Sequence, residues 1–140
     1  MVKIIKIDWI SKEALEVEVT VYDGKFKLIC FSQPFKYDLN DFISIPLYCY
    51  GINNIMKVEE RRFKVEKLYE PFAYNLIGKL ENKQCGIVQI GNIKIEVENA
   101  DLPSDVEEES YISFNCKRID IYYNENISIF VLICILFFYY

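Results

Sequence analysis

Five carboxylates crowd one short stretch of the chain: Asp101, Asp105, Glu107, Glu108 and Glu109. Oxygen ligands gathered in a loop are the raw material of a Ca²⁺ site. The spacing here matches no EF-hand, and no glycine stands where a tight metal loop would need one. A run of like charge otherwise reads as a solvated loop or as a docking segment for a cationic partner.

Other chemistry is thinly supplied. The chain has no histidine, which removes the usual general base, Ser-His-Asp and Cys-His arrangements, and the commonest metal ligand. Neither GxGxxG nor GxxxxGK[ST] occurs, so no phosphate cradle is indicated. Cysteines stand at 30, 49, 85, 116 and 134, with no CxxC pair, which excludes zinc-ribbon and thioredoxin-like motifs. Cys30 and Cys116 alternate with apolar neighbours and read as reduced core residues, which suggests a reducing compartment, the cytoplasm. The N-terminus interleaves Lys3, Lys6 and Asp8 where a signal peptide needs an apolar run. An enzyme would have to rest on carboxylates or thiols, with Asp105 and Cys30 as the best candidates. No constellation fills the roles of a catalytic site, and no cofactor or metal is expected.

Aromatic residues form a second cluster: Tyr22, Phe31, Phe35, Tyr37, Tyr48 and Tyr50, with Lys25, Lys27 and Lys36 nearby. Aromatics interleaved with a basic groove bind single-stranded nucleic acid. The plainer reading is that these rings are core or rim. The net charge is −5, and its sign disfavours nucleic acid and favours a basic protein partner.

The elements that must position these groups read as strands. There are 21 Ile and only three Ala (Ala14, Ala73, Ala100), a bias that suits a pleated surface. AT-rich codons would produce the same bias, so periodicity carries the assignment. Ile5, Ile7 and Trp9 alternate with Lys6 and Asp8. Leu15, Val17, Val19 and Val21 then alternate with polar residues up to Asp23-Gly24, the strongest short hairpin signal. A two-residue turn there pairs Val21 with Phe26, Val19 with Leu28 and Val17 with Cys30, every pair apolar.

Residues 32–46 carry loop chemistry. Residues 47–58 read as extended, with Gly51 at a bulge or bend. Residues 59–70 favour a turn and a strand, although Val65, Leu68, Tyr69 and Phe72 also fit helical spacing. Residues 72–81 alternate. Gly91-Asn92 turns a second hairpin that pairs Ile90 with Ile93, Val88 with Ile95, Gln89 with Lys94 and Ile87 with Glu96. After the acidic loop, Ile112, Phe114 and Cys116 hold even positions and Ile119 and Ile121 odd ones, which predicts a β-bulge near Lys117-Arg118.

Seven or eight short antiparallel strands with two firm hairpins predict an all-β fold, a small OB-like or SH3-like barrel over residues 1–123. Residues 124–140 are a hydrophobic tail, apolar from Ile127 onward except for Ser128. Fourteen helical residues rise about 21 Å, short of a hydrocarbon core of about 30 Å. Three readings of the tail stand side by side: a membrane anchor, a segment packed on the body or a partner, and a frameshift product. In the first two, Ile127, Phe130, Val131, Leu132, Ile135, Leu136, Phe137 and Phe138 make the contacts. Together these features suggest a non-catalytic binding module for a basic protein, comparable to an immunity protein that masks a toxin. The alternatives are a membrane-tethered domain, located at the membrane through its tail, and an OB-like nucleic-acid binder.

Overall fold

The computed structural model describes residues 1–122 and Leu136. Of the tail contacts, Ile127, Phe130, Val131, Leu132, Ile135, Phe137 and Phe138 lie outside the described residues, whereas Leu136 is exposed.

Among the described residues ten strands run β1 (Val2–Ser11), β2 (Glu16–Tyr22), β3 (Lys27–Ser32), β4 (Phe42–Ile43), β5 (Leu47–Val58), β6 (Lys64–Lys67), β7 (Tyr74–Asn82), β8 (Ile87–Ile90), β9 (Ile93–Glu96) and β10 (Tyr111–Asp120). The short strands β4 and β6 bring the total above the seven or eight expected. In sheet order they are β4-β1-β2-β3-β10-β5-β9-β8-β7-β6, and a further β10–β7 pairing closes β10, β5, β9, β8 and β7 into a five-stranded barrel. Two contacts are parallel, β5 with β9 and β10 with β3; the other ladders are antiparallel.

Alternation explains the packing. Val17, Val19 and Val21 of β2 and Leu28 and Cys30 of β3 are fully buried, and they join Leu76, Leu80, Val88, Ile90, Ile93, Ile95, Ile112 and Phe114 from the barrel strands in one core. Barrel closure leaves β6 at one end of the sheet order, and its Lys64, Glu66 and Lys67 protect that edge with charge.

The second hairpin has the expected register, pair for pair. The first has the expected faces but pairs two residues further along: Val21 meets Leu28, Val19 meets Cys30 and Val17 meets Ser32. Asp23–Phe26 form a four-residue loop in place of a two-residue turn, because the Asp23 carboxylate draws the backbone N–H groups of Lys25 and Phe26 onto its Oδ1 at 2.9 and 2.7 Å. A slip of two preserves the side-chain alternation, so the core is unchanged. In β1 an irregularity between Ile4 and Lys6 shifts the inward phase, so that Ile4, Ile7 and Trp9 stand opposite Val21, Val19 and Val17.

The phase change at Lys117-Arg118 is present, with Cys116 and Ile119 both buried. The register against β5 nevertheless runs unbroken across it, because Gly51 beside the Lys117 side chain takes φ +71°. The register slip lies instead between Ser113 and Asn115, opposite the stretch of β5 where Asn54 has φ 53°. Residues 59–70 contain strand β6 and no helix.

Both hairpin tips meet at Asp23. Its Oδ2 accepts the backbone N–H of Asn92 at 2.8 Å, so one buried carboxylate receives three amide donors from two turns. Burial alone would raise its pKa. The amides of Asn92, Phe26 and Lys25 outweigh that and hold it below the usual carboxylate value.

Candidate functional site

The acidic loop joins β9 to β10. Asn99–Asp101 make a 3₁₀ turn, and Asp101, Asp105, Glu107, Glu108 and Glu109 are all exposed. The backbone is well held. Val106 is fully buried. The N–H of Glu109 donates to the Leu80 carbonyl, and the N–H of Leu80 to the Ser110 carbonyl, both at 2.8 Å. Glu109 lies 3.3 Å from the Lys79 ammonium, and Glu108 accepts the backbone N–H of Lys83 at 3.4 Å. Asp101, Asp105 and Glu107 have no ion pair among the described residues. Nor, among those residues, do three acidic or sulfur groups gather closely enough to hold a metal ion.

A second acidic feature comes from strand register. Residues directly opposite across a ladder share one face. Asp8 faces Glu18, Glu18 faces Phe31, Phe31 faces Asp120, Asp120 faces Tyr48, and Tyr48 faces Glu96. This row crosses six strands, β1-β2-β3-β10-β5-β9. At about 4.8 Å per step it spans about 24 Å. Four of its six members are carboxylates.

The middle of the row already holds a cation. The Arg118 guanidinium forks onto both oxygens of Asp120 at 2.7 and 3.0 Å. It also lies 4.3 Å from the centroid of the Phe31 ring and 5.1 Å from that of Tyr50. The bonds to Asp120 raise the pKa of Arg118 further, so the charge is permanent.

The β5–β9 end brings together a similar set of carboxylates and rings. The Tyr48 hydroxyl donates to Glu98 at 3.0 Å, and the Tyr48 and Tyr122 rings are tilted at 41° with centroids 5.5 Å apart. Tyr37 donates to the Tyr122 carbonyl at 3.2 Å and fixes that segment. Glu96 is only 7% exposed and has no hydrogen-bond or ion-pair partner among the described residues. Burial, with the nearby Glu98 charge, pushes its pKa up to about 7. Burial and the carboxylates of Asp120, Glu96 and Glu98 push Tyr122 up to about 12.

The remaining candidates stand apart from the row. Cys30, Cys49 and Cys116 are buried free thiols. Burial raises the pKa of Cys30, and the Cys116 thiol with burial raises that of Cys49, which suppresses the thiolate a nucleophile needs. Cys85 is disulfide-bonded. Phe35 is core, with Trp9 edge-on at 5.9 Å. Lys25 and Lys27 lie over Phe26 and Tyr22 at 5.3 and 5.6 Å. A cleft of about 350 Å³ lined by Asn53, Leu68, Pro71, Ala73, Asn115 and Lys117 involves none of the row.

Among the row and its surroundings, sequence patterning singled out Phe31, Tyr48 and Tyr50, as aromatics. It missed Glu96, Glu98, Asp120, Arg118 and Tyr122 as site residues, although it placed Glu96 opposite Ile87 and Arg118 at a strand phase change. Comparison of the chain with family models, with curated proteins and with solved structures gave no match.

Proposed function

We propose that the protein is a non-catalytic binding module for a basic protein partner, comparable to an immunity protein that masks a toxin. The observation that carries this reading is the loop of exposed carboxylates at Asp101, Asp105 and Glu107, unpaired among the described residues and held on a fixed backbone. A rigid patch of one sign, on a chain of net charge −5, speeds and orients association with an oppositely charged surface. The same sign argues against nucleic acid.

The test compares the native chain with a variant neutralised at Asp101, Asp105, Glu107, Glu108 and Glu109. The native chain should retain a basic protein at low ionic strength. It should release that protein as added salt shortens the screening length from about 10 Å at 0.1 M to about 3 Å at 1 M. Equal retention by the neutralised variant would refute the reading.

A second reading, tethering to a membrane, rests on the uncharged run Ile127–Tyr140. No helix among the described residues is long and apolar enough to cross a bilayer. Carbonate washing of membranes separates the two readings. For location, the free thiols at Cys30, Cys49 and Cys116 favour the cytoplasm, while the disulfide at Cys85 favours an oxidising compartment. Alkylation of the protein in its native cells, before lysis, counts the thiols and decides.

A further inference from the structure

We infer that Glu96 and Glu98, framed by the rings of Tyr48 and Tyr122, form a cradle for one guanidinium group, an arginine side chain of the partner. This rests on the binding-module reading above and gives it a second point of contact, on the barrel wall beside the acidic loop.

Three observations support it. First, Glu96 is buried yet has no partner among the described residues, and a buried polar group without a hydrogen bond needs an explanation. A cation arriving from outside supplies one. Second, Glu98 stands two residues along an extended segment from Glu96, so both carboxylates project from the same face. The Tyr48 hydroxyl holds one oxygen of Glu98 at 3.0 Å, leaving the other free to accept. Third, the same row shows what it does with a guanidinium. Two steps across the sheet, Arg118 is held by a carboxylate fork and two aromatic rings. The β5–β9 end offers two carboxylates and two rings. Planar, forked donors match such a pair of acceptors better than a compact ammonium does, and guanidinium stacks on rings more readily. The charged and titratable groups on this face include Glu96, Glu98 and Lys94 (itself paired with Glu81) on and beside β9, Tyr48 from β5, and Asp120, Arg118 and Tyr122 from β10 and the residues after it.

The experiment titrates the full chain with N-acetyl-arginine amide, followed by nuclear magnetic resonance. N-acetyl-citrulline amide, which keeps the shape without the charge, is the control. Saturable shifts at Tyr48, Glu96, Glu98 and Tyr122 are expected with the arginine probe only. Glu98→Gln, at an exposed position, should weaken binding about tenfold by removing a charge-assisted pair, and Glu96→Gln should do the same with an isosteric side chain. Tyr122→Leu should weaken it about threefold through the lost ring. Absence of shifts at these residues, an equal response to citrulline, or unchanged affinity in both carboxylate variants would overturn the cradle. Failure of the two ideas can be told apart. Retention of a basic protein without arginine binding here removes the cradle alone, whereas arginine binding without retention removes the wider reading and leaves the cradle.

Discussion

Replacing Asp23 should separate the local turn from the clasp between the two hairpin tips. Its carboxylate accepts Lys25 and Phe26 amides on Oδ1 and the Asn92 amide on Oδ2, all between 2.7 and 2.9 Å. Asp23→Asn keeps one carbonyl oxygen for the two local donors but turns an NH₂ toward the Asn92 N–H. Asp23→Ala removes all three acceptor contacts. A hydrogen bond to a charged group contributes about 1.5–3 kcal/mol, and donors near a loop tip recover part of that from water. The asparagine variant should therefore lose about 2 kcal/mol and the alanine variant about 4 kcal/mol. Urea titration of both gives the totals, and amide hydrogen exchange shows where they arise: Asn92 should lose protection in both variants, Phe26 only with alanine. The pH dependence has a fixed sign. The folded-state pKa lies below the ordinary 3.8, so the carboxylate's contribution is complete above that value and is lost as pH falls through the lowered one. Equal losses in the two variants, or an Asn92 amide as protected in Asp23→Asn as in the native chain, would refute the clasp.

Glu96 should show the opposite pH dependence. Its pKa rises from 4.5 to about 7, so the folded state binds the proton more tightly and stability declines as pH climbs between those values. At about 1.4 kcal/mol per tenfold in proton affinity the decline approaches 3 kcal/mol. Glu96→Gln should match the native midpoint in urea at pH 4 and exceed it at pH 8; a variant less stable at pH 8 would mean the carboxylate has a favourable partner. Gly91→Ala should cost about 2 kcal/mol or more in the same assay, because φ is +60° and a β-carbon would press on the Asp23 carboxylate and the Phe26 ring. Tyr74→Phe should cost about 1–3 kcal/mol, since the Ile29 N–H now donating to its hydroxyl at 2.8 Å would be left without an acceptor.

Local patterning revealed what local chemistry decides. The Gly91-Asn92 hairpin was legible to the register because its turn is short and both faces are strongly sorted. The Asp23-Gly24 hairpin was legible in its faces but not its register, because an aspartate that captures two amides favours a longer loop, and a slip of two leaves the alternation unchanged. The strand phase change after Cys116 was visible, but the glycine that absorbs it stands in another strand, at 51. The exposed carboxylates of 101–109 were visible as a run. The row from Asp8 to Glu96 was not, because three of its five steps join strands far apart in sequence, two of them through β10. No spacing rule along the chain would bring Glu96 to Tyr48, or Arg118 over Phe31.

β10 is the member on which every part of the sheet converges. Tyr111–Cys116 line up with β7, most of its length with β5, and Asp120 with β3. During synthesis, residues 1–110 can form the β1–β2–β3 ribbon and the β7–β8–β9 meander as separate pieces, each with an open flank. Until residue 120 has emerged, the nascent protein carries raw strand edges rich in isoleucine and valine. That interval is when a holding chaperone has the most to protect, and when two such chains are most prone to lend each other the missing strand.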